Sequence, residues 1–559
     1  MINAAPLASP LVRLSNAYLV DPEDGSLTTA TASVWIDENS GRIVHIAYDE
    51  DDEVAMNSGR RSLASFYAHN GLAEGREHEL ETCRTVDLDQ AILSPGLIDV
   101  QINGCFGVDF SDWPSEDVLG RTAEEAYLDG LEKAARDLTC TGVTSFVPTI
   151  ISQTSKSYEN IVPAIETAFK RAQKSILGYH LEGPFISTQK PGCHPQDNLT
   201  EAKGGWDTFL EMYGDANLVA VKVDKAGGRS GGDVGAGGEN AMVKLITVAP
   251  ELQGVMGSIR KLKDAGFVVS MGHSTATTSQ ALEAVNRGAS MITHLFNAMP
   301  QLHHREPGIL GLLGMNQATS SGPGRLSLHT SQMVRSVAAS PRRCDPSDEP
   351  PFTRSRSGSS SDEVLSSSPS SAMSQQRRTR STLMNLETDQ FGAQTVTRRS
   401  DSRKPYWSII ADGVHVHPMA VNLAYQSHPE GCVLITDAVQ LMDPALPDGL
   451  YPWRSPEHLI EKSGDSITLS GTDTLAGAAV SLDTCVRNMS TFCSIPLSRA
   501  IHHATRTPAK ALGLKVESTK GAIRVGWDAD LCVWDRFTGQ VLSTWVGGKE
   551  IYNSTSVKA

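Results

Sequence analysis

The sequence predicts an α/β protein: a (β/α)8 TIM-like barrel with a small β-sandwich-like domain formed from both termini. Three observations carry this. From about residue 95, short apolar runs alternate with amphipathic stretches at a period of roughly 20–40 residues, as βα units do. Four polar residues stand where an apolar run stops: Glu182 after SILGYHL, His273 after FVVSMG, His294 after ASMIT and Asp437 after CVLIT. Both ends of the chain are instead rich in short strand-like pieces and turns.

Residues 1–94 make the N-terminal part of the small domain. RLSNAYLV, ASVWID and GRIVHIA read as strands, with turns at Asp21-Pro22, Asp24-Gly25 and Ser40-Gly41. Residues 48–82 are polar and weakly periodic and read as an insertion. Strand character resumes at RTVDL and AILSPGLIDVQING.

The barrel spans 95–516. Helical patterns such as EEAYLDGLEKAARDL and NIVPAIETAFKRAQ alternate with buried-strand runs such as GVTSFVPTI and FVVSMG. His273 and His294 stand one βα unit apart, so they belong on neighbouring strands. A Gly-rich insertion occupies 222–240; it contains no GxxxxGK[ST] and no strand-bounded GxGxxG, so it is no phosphate loop. Residues 318–404 are rich in Ser, Arg, Thr and Pro and too poor in large apolar groups to offset ordering entropy, which predicts a disordered insertion. Its serines lie near arginines, as basophilic kinase sites do; a solvated spacer is the plainer reading. The barrel pattern returns with YWSIIADGVHVHP and GCVLITDAV, and residues 517–559 supply the C-terminal part of the small domain.

Bulk properties exclude several classes. The net charge of −15 argues against a general nucleic-acid binder. Nine cysteines without a CxxC pair fit a reduced, cytoplasmic protein better than a disulfide scaffold. The first residues lack a signal-peptide apolar core, and no run is long enough to span a bilayer, so no membrane partner is expected.

Polar groups just past the carboxyl ends of buried parallel strands are the pattern of an α/β active site. Glu182, His273 and His294 offer one carboxylate and two imidazoles, enough for a divalent cation that keeps a position open for water. Such a cation activates water as a nucleophile near neutral pH. Asp437 reads equally as a fourth ligand or as a proton shuttle. His180, two residues before Glu182, shares its side of the strand and reads as a partner behind the ligands. His303, His304, His502 and His503 are not expected to be ligands. Cys105 and Cys193 lie near these motifs with nothing beside them to activate a thiol.

SPGLIDVQINGCFGVDF, HLEGPFIS…KPGCH, SMGHS, THLFNAMP…REPG, IADGVHV, LITDAV and TLAGAAVSL follow one another in the chain. This set resembles the N-acetylglucosamine-6-phosphate deacetylases of the amidohydrolase superfamily, and the GAIRVGWDADLCVWD tail is similar to that superfamily too. The likeness spans about 11–47, 83–317 and 405–552. It implies a metal-dependent hydrolase of a linear amide, releasing acetate from N-acetylglucosamine 6-phosphate. Where many amidohydrolases carry an HxH pair, this chain has Gln101 and Asn103; amides are poor ligands, which implies one divalent metal ion per subunit, zinc foremost.

By position the resemblance assigns Glu182, His273 and His294 to the metal and Asp437 to the general base and acid. It makes His194 a catalytic and substrate-binding residue at the acetyl carbonyl. Asn297, Ala298, Arg305 and His415 fall at sugar-phosphate contacts, a set whose guanidinium, imidazole and backbone N–H suit a phosphate. Leu475 falls at a wall of the acetyl pocket. In relatives the arginine reaches a neighbouring subunit, which implies a homodimer. The alternatives are another amidohydrolase, such as an N-acyl amino acid deacylase, and a non-catalytic scaffold using the Ser/Arg-rich insertion as its interaction element.

Overall fold

The computed structural model describes residues 10–48, 82–114, 120–171, 175–218, 242–315, 404–453, 455–472 and 474–555, with Glu387–Thr388 and Gln394–Thr395. The expected insertions at 48–82, 222–240 and 318–404 lie almost wholly outside these residues. The chain divides into two compact units, Met1–Gln317 with Ser402–Ala559, and Ala318–Asp401. In the second, Glu387–Thr388 pairs antiparallel with Gln394–Thr395.

Eight strands of the first unit form one parallel sheet in sequence order: β1 (Leu97–Ile102), β2 (Val143–Ile151), β3 (Gly178–Glu182), β4 (Val243–Val248), β5 (Phe267–Met271), β6 (Met291–Ile292), β7 (Tyr406–Ile410) and β8 (Cys432–Ile435). Every residue of β1, β2, β3 and β8 is buried. Helices cover one face and side chains fill the other, which is why these runs are continuously apolar rather than alternating.

The seam between β8 and β1 closes the barrel just beyond the strand ends. Asp437 N–H donates to Gln101 O at 2.9 Å, and Asn103 N–H donates to Ala438 O at 2.7 Å. Below them the Thr436 hydroxyl donates to the Asp99 carboxylate at 2.6 Å. Helices follow most of the strands. Ala123–Asp137 starts at a Thr122–Glu125 capping box and buries Tyr127, Leu128, Leu131 and Ala134, one helical stripe. The cap contributes about 1 kcal/mol.

The terminal segments join in one sheet, in the order Lys549–Asn553, Val541–Val546, Leu531–Trp534, Ile92–Pro95, Leu11–Leu19, Ala32–Asp37, Arg42–Tyr48, with Arg84–Asp87 also paired to Leu11–Leu19. The union follows from hydrophobicity: Val12, Leu14, Val34 and Leu93 share a core with Leu531, Val533 and Trp545, which neither terminus could bury alone.

A further antiparallel sheet, Gly449–Trp453, Ser455–Ser463, Ser466–Leu469 and Leu475–Ala478, follows β8. The sequence reading did not anticipate it, because its strands carry many polar and charged residues. It docks beside the site through a bridge between Ala438 and Ala478. Among the described residues no helix is long and apolar enough to cross a membrane.

Candidate metal centre and active site

All four strand-end residues meet at the carboxyl mouth of the barrel. Glu182 is the last residue of β3 and pairs in register with Ile151 of β2 and Thr247 of β4. His273, His294 and Asp437 each lie two residues beyond β5, β6 and β8. Their φ angles are 47°, 29° and 50°. A left-handed turn at a non-glycine residue costs on the order of 1 kcal/mol, and His and Asp tolerate it better than most. Here it belongs to the turn by which the chain leaves each strand.

Glu182 Oε1 stands 3.1 Å from His294 Nε2 and 3.4 Å from His273 Nε2, and the two imidazole nitrogens are 2.9 Å apart. Donor atoms bonded tetrahedrally to one zinc-sized ion lie about 3.3 Å apart. The three atoms therefore fit a single divalent cation. His194 Nε2 lies 3.7 Å from Glu182 Oε2, and Glu182, His194 and His273 also stand close enough together to share one ion.

Backbone groups set opposite tautomers in two of these rings. His273 Nδ1 lies 2.8 Å from Lys190 O. A carbonyl only accepts, so Nδ1 carries the hydrogen and the Nε2 lone pair faces the cluster. His194 Nδ1 instead accepts the Ser152 N–H at 3.2 Å, with Ser152 Oγ at 2.8 Å. Its hydrogen is therefore on Nε2, so the neutral ring points an N–H into the site.

Burial favours a neutral Glu182, but the imidazoles of His194, His273 and His294 outweigh it and hold the carboxylate well below its usual range. Asp437 is shifted the other way, raised by burial and then by the negative charge of Glu182. Two carboxylates in one site thus differ in proton affinity, the arrangement acid–base chemistry needs. Gln101 Nε2 lies between them, 2.9 Å from Glu182 Oε1 and 3.2 Å from Asp437 Oδ1, and Asn103 Nδ2 donates to the same Asp437 oxygen at 2.8 Å.

The remaining expected residues are placed as follows. Asn297 N–H donates to His294 O at 2.9 Å, and its Nδ2 is buried without a hydrogen-bond partner among the described residues. Ala298 follows with φ 48°, its carbonyl accepting Ser274 N–H. His415 Nδ1 is 2.6 Å from Asp412 Oδ2, which fixes its ring beyond β7. Leu475 begins the strand whose other end, Ala478, bridges to Ala438. Arg305 is exposed on the loop after β6; its N–H donates to His303 Nδ1 at 3.3 Å. His180 is not bonded to Glu182. It spans Thr149 and Thr247 beneath the cluster, and burial lowers its pKa to about 4. His417 caps a helix through Met419 N–H. His502 and His503 are buried, His502 Nε2 lying 3.2 Å from Pro22 O.

Sequence reasoning missed the work of Gln101 and Asn103, of Ser152 and of Asp412. Only Gln101 and Asn103 left a signal: two amides at strand spacing at the end of β1, beside Glu182 and Asp437.

A parallel barrel with a carboxylate–imidazole cluster at its carboxyl mouth defines the hydrolase class to which the comparisons also point. Residues 92–318 and 394–551 match the model of the amidohydrolase family. N-acetylglucosamine-6-phosphate deacetylase of Danio rerio is 31% identical over 489 residues, 87% of this chain and 89% of that protein. The Homo sapiens protein of the same name is 30% identical over 474 residues, 84% of this chain and 86% of that one. A crystal structure of N-acetylglucosamine-6-phosphate deacetylase from Pasteurella multocida matches with a TM-score of 0.62 at 20% identity, covering 97% of this chain and 99% of that one. The chain belongs to the amidohydrolase family and, within it, groups with the N-acetylglucosamine-6-phosphate deacetylases.

Proposed function

We propose that this chain hydrolyses the acetamide of N-acetyl-D-glucosamine 6-phosphate to D-glucosamine 6-phosphate and acetate, a step of amino-sugar breakdown. The observation that carries the reading is the convergence of Glu182, His273 and His294 beside Asp437, in a chain alike over most of its length to deacetylases of that name.

In this reading Glu182, His273 and His294 hold one divalent cation per subunit, and two imidazoles with a carboxylate favour zinc. The cation supplies Lewis acidity, activating water and polarising the acetyl carbonyl. Asp437 accepts the proton of the attacking water as its oxygen bonds the carbonyl carbon. It returns that proton to the sugar nitrogen as the C–N bond breaks. His194 donates its Nε2–H to the carbonyl oxygen, where negative charge builds. Leu475 bounds the acetyl pocket.

Arg305, His415, Asn297 and Ala298 bind the phosphate, the buried Asn297 amide being a donor with no partner of its own. Arg305 serves the site of a second subunit in a homodimer. The exposed apolar residues Leu302, Val414, Met419 and Leu423, after β6 and β7, favour such an interface. The free cysteines favour a cytoplasmic location.

Acetate release by the Asp437→Asn variant tests the reading. We expect kcat to fall by roughly 10²–10⁴ with metal content and melting temperature unchanged. Near-normal turnover would remove Asp437 from the reaction. A parent enzyme that ignores the sugar phosphate yet cleaves N-acyl amino acids would replace the substrate.

A further inference from the structure

The mouth of the barrel holds two side chains to which the reaction above gives no part. Gln101 is the fifth residue of β1 and is buried; Asn103 follows just past the strand end. Both aim their amide nitrogens at one atom, Asp437 Oδ1, at 3.2 and 2.8 Å. Gln101 also reaches Glu182 Oε1 at 2.9 Å. The backbone of the same two residues grips the Asp437 turn: Gln101 O accepts Asp437 N–H, and Asn103 N–H donates to Ala438 O.

A carboxylate whose one oxygen accepts two fixed donors has lost its rotational freedom about χ2. We propose that Gln101 and Asn103 are positioning residues that anchor Asp437 by Oδ1 and leave Oδ2 as the oxygen that carries the proton. The proposal rests on the reading that Asp437 is the proton carrier. Hydrogen-bond geometry supports the division of labour. Amide N–H groups donate and cannot take the proton from the carboxylate, so Oδ1 is occupied whichever way the proton moves. The Asn103 amide oxygen is buried without a partner among the described residues, so its own Oδ1 does not fix this amide, and the donor bond to Asp437 is its clear tie. The amide of Gln101 keeps the carboxylates of Glu182 and Asp437 bridged at fixed spacing, so the proton carrier cannot swing toward the imidazoles.

A double-mutant cycle tests this, using full-length metal-loaded protein. Asn103→Ala should lower kcat for N-acetylglucosamine 6-phosphate by about 10-fold to 100-fold, as expected of a catalytic group displaced by about 1 Å. KM should stay within about twofold, since neither amide is placed on the sugar or phosphate. In the Asp437→Asn background the same change should cost less than about twofold, because the group it positions no longer moves a proton. Gln101→Ala, assayed per bound metal because its amide also holds Glu182, should behave alike, and either variant suffices if the other fails to fold. Equal losses in both backgrounds would overturn the proposal while leaving the function intact. Full turnover by Asp437→Asn would instead overturn the proton-carrying role of Asp437 on which it rests.

Discussion

Asp99→Asn should flatten the dependence of stability on pH and make the variant the more stable protein above neutrality. Asp99 lies in β1 with no exposed surface, and it holds the β1–β8 seam. Thr436 Oγ–H donates to it at 2.6 Å and Gln101 N–H at 3.2 Å. Burial raises its pKa to about 7, and those hydrogen bonds pull it back only in part. In the unfolded chain an aspartate titrates near 3.9. Between these values the folded protein keeps a proton that the unfolded chain has lost. Stability is therefore highest at low pH for this group, falls as pH rises through the window and levels off above about 7. The difference corresponds to about 4 kcal/mol, more than half of it lost between pH 5 and pH 8. Asparagine has no charge to desolvate, and its Oδ1 keeps an acceptor for the Gln101 N–H. Denaturant or thermal unfolding of both proteins at pH 5, 6, 7 and 8 measures the difference. Curves that run parallel across this range would refute the assignment of a buried, reluctantly ionised carboxylate at the seam.

Stripping the metal with a chelator should release one equivalent per chain, abolish acetate release and lower the melting temperature, with zinc restoring all three; full activity in stripped protein would end the metal reading. Arg305→Ala should raise KM for the phosphorylated sugar far more than it alters any activity on unphosphorylated N-acetylglucosamine, and equal effects on both would rule out a phosphate contact. Gly272→Ala places a methyl 2.7 Å from Thr293 Cβ and 3.1 Å from Thr247 Cγ2, beside the turn that carries His273. It should destabilise by about 1–3 kcal/mol and leave purified protein with less than full metal occupancy; unchanged melting and metal content would show that β5 and β6 separate there without strain.

What the sequence settled was which side chains share a mouth. In a parallel sheet every strand leaves the barrel at the same end, so Glu182, His273, His294 and Asp437, each just past an apolar run, had to meet once the alternation of strands and helices was recognised. The terminal strands were legible for a similar reason, since the short strand-like pieces at both ends had no core of their own. The four-stranded sheet after β8 was not legible, because its longest strand, Ser455–Ser463, reads SPEHLIEKS, without a continuous apolar run.

Nor could the sequence state the chemistry of each group at the mouth. His194 and His273 are the same residue type, yet Ser152 N–H puts the hydrogen of one on Nε2 and Lys190 O puts that of the other on Nδ1. Gln101 and Asp437 are 336 residues apart and touch only because β8 closes on β1. Local pattern fixes where a strand ends and which way it faces, since that depends on neighbours within a few residues. Proton placement and carboxylate orientation depend on hydrogen bonds a few ångströms long between distant segments, and these exist only after the barrel has closed.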